Sequence, residues 1–109
     1  MSAMKERLLA MLEQGHDNLL LRFGLGKAYT EADEPQEAIV HLQKAIAFDP
    51  EHASSWFWLG RAYMAAEQWT QAQEALEKSG LLAKEKGEEQ TVKMVSVFQR
   101  RLAKQLGES

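Results

Sequence analysis

Cysteine is absent from this 109-residue chain. That excludes disulfides, thiolate chemistry and cysteine-based zinc sites, and it fits a reducing compartment. Proline is scarce, with two residues, so long helices can run without interruption. No apolar run approaches the ~20 residues needed to span a bilayer. The N-terminal stretch places Lys5, Glu6, Arg7 and Glu13 among its apolar residues, which breaks the continuous apolar core that a signal peptide requires. A cytoplasmic location is therefore expected. A strong charge imbalance is also missing. The formal net charge of −3 gives no electrostatic reason to expect nucleic acid or an anionic membrane as partner.

Patterns that carry chemistry are lacking too. His16, His41 and His52 do not have the helical pair spacing of a zinc motif. Gly24 and Gly26 fall inside a helical pattern rather than in a phosphate-cradling loop. Asp49, His52 and Ser54 or Ser55 lie close in sequence, but triad members converge from separate elements beside an oxyanion hole. No catalytic residue, metal or cofactor is expected.

What is present is an ordinary globular composition, 45 % hydrophobic and 27 % charged, organised by an internal repeat. Shifted by 34 residues, Leu19–His52 and Ala53–Lys86 share Phe23/Phe57, Leu25/Leu59, Gly26/Gly60, Ala28/Ala62, Tyr29/Tyr63, Ala32/Ala66, Ala38/Ala72, Leu42/Leu76, Lys44/Lys78 and Glu51/Glu85. Those are ten identities in 34 positions, where residue usage alone gives about two. Within each copy the repeat positions recur at steps of three and four: Trp56, Leu59, Tyr63, Ala66, then Ala72, Leu76, Ser79; and Leu25, Tyr29, Ala32, then Ala38, Leu42, Ala45. This is the period of one helical face. Gly26 and Gly60 mark places where another helix can approach closely. Pro35 suits the first turn of a helix, and Asp49-Pro50 ends one. Ser54 or Ser55 is placed to cap the next. Each copy therefore reads as two antiparallel helices joined by a short turn.

The order Trp56, Leu59-Gly60, Tyr63, Ala72, Leu76 in the second copy, and Leu25-Gly26, Tyr29, Ala38, Leu42, Ala45, Pro50 in the first, resembles the tetratricopeptide repeat. The likeness covers Leu19 to about Lys86. It departs at Arg22, where the family has Trp, and at Ser79 and Lys84, where it has Ala and Pro. The missing proline leaves two ends open for the last repeat helix, near Gly80 or near Gly87. The resemblance implies an all-α, right-handed solenoid of antiparallel helix pairs.

Such pairs need neighbours to bury their apolar faces. Met4, Leu8 and Met11, shifted by 34, fall on Ala38, Leu42 and Ala45, so residues 1–17 read as the second helix of a degenerate earlier repeat, ending near Gly15. Residues 88–106 read as a closing helix, with Val95, Phe98, Leu102 and Leu106 as its apolar stripe. The expected total is about six helices in a single domain over 1–109, with repeats at 19–52 and 53–86.

On a helix, Phe57 and Leu59 point to nearly opposite sides. The row Phe57, Arg61, Met64 is thus not the packing row, and its counterpart is Leu20, Phe23, Lys27, Thr30. The resemblance implies that first helices line a concave surface where partner segments bind. Trp58, at the edge of this row, is a candidate exposed anchor, whereas Trp56 faces the packing side and Trp69 sits at a helix start. The expectation is a groove of Leu20, Phe23, Lys27, Thr30, Phe57, Trp58, Arg61 and Met64 for a protein or peptide partner. Self-association through this face is one alternative, and burial of Phe23 and Phe57 under the end helices is another. The family's carboxylate clamp is not expected, because phenylalanine stands at one of its positions in both copies.

Overall fold

The computed structural model describes residues 3–107 and, among them, six helices and no strand. They are α1 (Ala3–Glu13), α2 (Leu19–Glu31), α3 (Pro35–Phe48), α4 (Ala53–Ala65), α5 (Trp69–Lys86) and α6 (Glu89–Gln105). Their ends follow local chemistry. Asn18, in extended backbone, accepts from the Leu21 amide at 2.9 Å and so satisfies one of the free N–H groups that open α2. Pro35 occupies the first turn of α3, where its missing N–H costs nothing. The anticipated serine cap of α4 is not formed. His52 precedes the helix without a side-chain cap, and Ser55 is buried with its Oγ 2.7 Å from His52 Nδ1.

The turns inside the two repeats are twins. Asp33 and Glu67, 34 residues apart, each hold φ at 60°, in the left-handed region that side chains enter at a cost. The reward is a pair of closing hydrogen bonds that satisfy late carbonyls. The Glu34 amide donates to the Tyr29 carbonyl, and the Gln68 amide to the Tyr63 carbonyl, each at 2.9 Å. The last repeat helix does not stop at Gly80. It continues to Lys86 and ends on Gly87, at φ 71°. Gly80 instead leaves room for α6, since a Cβ there would lie 3.4 Å from Val95.

Each helix packs on the next in sequence, and in addition α2 meets α4 and α4 meets α6, while among the described residues α3 meets neither α1 nor α5. The result is an inner layer of α2, α4 and α6 and an outer layer of α1, α3 and α5, in a stack of 47 × 29 × 19 Å. Gly26 and Gly60 sit under Leu42 and Leu76, both fully buried. A Cβ at Gly60 would come 2.8 Å from Leu76 Cδ2, which shows why the Leu-Gly pair repeats. Around these contacts Ala38, Leu59, Ala62, Ala72, Ala75, Val95 and Leu102 form one continuous core.

The departures from the repeat pattern have physical reasons. Ser79 Oγ donates to the Ala53 carbonyl at 2.8 Å and ties α5 to the start of α4. Arg22 replaces an aromatic body with a bidentate pair to Asp17, at 2.7 and 3.0 Å, and reaches His41 Nδ1 at 2.9 Å. Trp56 is only half-buried, because its indole N–H donates to the Pro50 carbonyl at 2.8 Å and so holds the ring over the α3–α4 turn. Trp69 opens α5, half-buried against the core. In α6, Val95 and Leu102 are buried and Phe98 is half-buried, but Leu106 is exposed, because the helix ends before it. The N-terminal helix α1 has no fully buried residue. It rests on α2 through Leu8, which lies over Gly24, and is tied to the α2–α3 turn by the Lys5–Glu34 ion pair at 2.8 Å.

Candidate partner-binding face

The inner layer brings Leu20, Phe23 and Lys27 of α2 to one open groove, and it takes other expected groove residues away. Phe57 is 1 % exposed. Its ring meets Phe98 of α6 edge-on at 5.3 Å and Trp58 at 5.8 Å, so the closing helix makes it core. Trp58 is 8 % exposed and is not the free anchor expected. Its neighbours are cations: Lys27 Nζ lies 5.4 Å from the ring centroid and the Arg61 guanidinium 4.2 Å. Thr30 turns its hydroxyl back to the Gly26 carbonyl at 2.7 Å. Met64 packs half-buried on the core.

The groove that does form lies between α1 and α2 and has a volume of about 390 Å³. Met4 and Leu8 form one wall and Leu20, Phe23 and Gly24 the other, with Lys27 and Glu31 at its end. Gly24 stands where the second copy has Trp58, and Leu8 of α1 lies over it, so that a Cβ there would come 3.0 Å from Leu8 Cδ1. Leu20 remains 71 % exposed and Met4 56 %. Phe23 is half-buried, with the His52 ring perpendicular to its own at 5.1 Å.

Beyond the groove a row of alternating cations and rings crosses the layer. After Lys27, Trp58 and Arg61 come Phe98, whose ring lies 4.7 Å from the Arg61 guanidinium, and Arg101, 4.6 Å from the same ring. Each such contact draws a positive charge to the negative face of a ring. Burial lowers the Arg61 pKa, Glu31 opposes this, and Arg101 adds to it as a like charge. The guanidinium stays protonated, since its intrinsic pKa is so high. Sequence reasoning missed Phe98 and Arg101 as inner-face residues. The signal was their three-residue spacing on α6, which places them on one side.

The sequence-adjacent Asp49, His52 and Ser55 do not assemble a nucleophile. Ser55 is fully buried, and Asp49 Oδ1 accepts from the Glu51 amide at 3.0 Å. Burial holds the His52 imidazole below its usual pKa. Among the described residues no group of three His, Cys, Asp or Glu could hold a metal, and no helix is long and apolar enough to cross a membrane.

With this geometry in hand, the likeness to known proteins is specific. The tetratricopeptide-repeat family profile matches residues 29–85. The chain belongs to the tetratricopeptide-repeat family. A TPR repeat-containing protein of Pseudomonas aeruginosa is 41 % identical over 99 residues, which is 91 % of this chain and 94 % of that one. A solution structure of a Bordetella parapertussis protein superposes with a TM-score of 0.82 at 44 % identity, covering 96 % of this chain and 91 % of that one. A general transcriptional corepressor of Saccharomyces cerevisiae is 32 % identical over 68 residues, 61 % of this chain but only 7 % of the corepressor. Tetratricopeptide repeats generally mediate protein–protein interaction.

Proposed function

We propose that this protein is a non-catalytic interaction module that holds a segment of a partner protein on the inner face of α2, α4 and α6. The observation that carries the reading is the groove between α1 and α2, where Leu20 and Met4 stay exposed beside half-buried Phe23. Exposed apolar side chains gathered at a concavity mark interaction sites. Membership of a family of interaction repeats supports the same reading.

A photo-crosslinking residue tests it. Placed at Leu20 or Lys27, it is expected to trap a protein partner in the native host. Placed at Val40, which is exposed on the outer helix α3, it is expected to trap none. Equal trapping from both faces, or none from Leu20, overturns the proposal. Trapping of a second copy from Leu20 assigns the groove to self-association, the alternative that its exposed apolar wall favours.

A further inference from the structure

We propose that His41 is a proton-operated latch on α1. Its neutral imidazole holds α1 and the linker behind it against the stack, and protonation loosens both and so withdraws one wall of the groove between α1 and α2. The consequence for a guest rests on the reading of that groove as the binding site, whereas the latch itself does not.

The latch consists of residues that the second repeat lacks. Where the second copy has Trp56 and Ala75, the first has Arg22 and His41. Ala75 is buried in the core, while Arg22 and His41 are half-buried. Arg22 holds Asp17, in the linker from α1 to α2, through Nε and Nη2 at 2.7 and 3.0 Å. Its Nη1 lies 2.9 Å from His41 Nδ1 on α3. A guanidinium only donates. His41 Nδ1 must therefore accept, which requires the neutral ring with its proton on Nε2. The His41 ring also stacks on Tyr29, with centroids 5.4 Å apart and planes 6° from parallel. Lys5 Nζ of α1 lies 4.8 Å from the centroid of the same tyrosine ring. Two threads thus run from His41 to the N-terminal helix, one through Arg22 to the linker and one through Tyr29 to Lys5.

A proton on Nδ1 acts on both threads. It sets a donor against a donor, so the bond from Arg22 is lost. It also makes the imidazole a second cation on the ring that Lys5 lies over, and the two charges repel. Burial disfavours the charged imidazole most, and Arg22 adds to this, against the fields of Asp17 and of Glu37 on its own helix. The other helix packed on α3, α4, brings no charge to bear on it among the described residues. The balance holds the His41 pKa below the ordinary imidazole value. The latched state therefore prefers the neutral ring, and the latch weakens as pH falls through that lowered value.

The N-terminal helix is the element able to respond. It has no fully buried residue and, among the described residues, packs on no helix but α2. Few buried contacts mean that it opens at far less cost than the core. Its departure takes Met4 and Leu8 out of the groove, so an apolar guest seated there is released on acidification.

Spin-label distances on the full chain test the latch, since the absence of cysteine lets labels be placed at will. One pair joins Ala10→Cys on α1 to Val40→Cys on α3, and a control pair joins Val40→Cys to Leu81→Cys on α5, all at exposed positions. The first pair is expected to give one narrow distance at about pH 7.5. At about pH 5.0 its broad, long-distance population is expected to rise about tenfold, while the control pair stays narrow. His41→Gln, which keeps an acceptor for Arg22 but does not titrate, is expected to stay narrow at both pH values. His16→Gln and His52→Gln are expected to retain the broadening. Nitrogen NMR of the ring is expected to find the His41 proton on Nε2 at neutral pH. A proton on Nδ1, no broadening in the unmodified background, or broadening that survives His41→Gln overturns the latch. Broadening of the control pair too overturns it in favour of global unfolding. Crosslinking at Leu20 at neutral pH reads the groove separately. A trapped partner with a pH-insensitive α1 sinks the latch alone, and a working latch with nothing trapped sinks the binding reading alone.

Discussion

The pairs α2–α3 and α4–α5 are two copies of one 34-residue pattern, yet one is open on its inner side and the other is sealed. Their shared residues Leu25/Leu59, Gly26/Gly60 and Leu42/Leu76 make equivalent contacts between the paired helices. Their differences lie on the faces that meet the next repeat. Phe57 is covered by Phe98 and buried, whereas Phe23 packs half-buried on the core with the His52 ring perpendicular to its own. Trp58 fills the space toward α2, whereas Leu8 of α1 lies over Gly24 and a groove opens beside the two. The repeat pattern thus determines how a pair is glued together. Whether its inner row becomes core or groove depends on the neighbour.

The largest effects should come from the glue. Leu42→Ala and Leu76→Ala should each cost about 2–5 kcal/mol in urea denaturation. Leu76 should cost more, because the sealed pair has less freedom to collapse into the cavity. An equal or reversed order breaks the contrast. Next come the glycines. Gly60→Ala should destabilise by about 1–3 kcal/mol, since the new methyl meets Leu76 at 2.8 Å inside a packed core. Gly24→Ala should stay within about 1 kcal/mol of neutral. Its methyl meets the free end of Leu8 at 3.0 Å on the loosely held α1, and alanine's helix propensity offsets the crowding.

The twin turns give a smaller effect of opposite sign. Glu67→Gly should stabilise by about 0.5–1 kcal/mol in thermal melts by relieving the left-handed backbone. Asp33→Gly should gain less, because aspartate tolerates that region better. The smallest effect is titration. Burial keeps the folded-state pKa of both His41 and His52 below the usual imidazole value, with Arg22 reinforcing it at His41 and Lys86 at His52, against the raising fields of nearby carboxylates. The unfolded chain therefore takes up protons first as pH falls. Their contribution to stability is complete above about pH 6.5 and is lost between there and the lower folded-state values. The melting temperature should drop on acidification through that window, and less so in His41→Gln. A melting temperature that rises there contradicts the assignment.

The fold was legible because its determinants are periodic. A 34-residue register, Leu-Gly pairs and two prolines place α2 to α5, and apolar stripes place α1 and α6. The site was less legible because it depends on contacts between repeats. Nothing in the row Phe57, Arg61, Met64 reveals that α6 will lay Phe98 across it. Trp58 without an aromatic counterpart at Gly24 suggested an exposed anchor, when Trp58 is buried and the exposed feature is the groove between α1 and α2. Asp33 and Glu67 gave no warning of left-handed turns, since glycine is the usual marker. Ser54 and Ser55 looked like caps of α4, but the helix starts at Ala53, and Ser55 is buried within it beside His52.

The place of Trp58 between a flexible ammonium and a guanidinium has a practical consequence. Indole emission responds to the local electric field, so a guest that draws Lys27 or Arg61 away from the ring shifts the colour of this one fluorophore. Trp56, bound to a turn carbonyl, and Trp69, at the mouth of α5, stand apart from that row and supply a steady background. The protein thus carries its own optical gauge of occupancy, readable without any attached label.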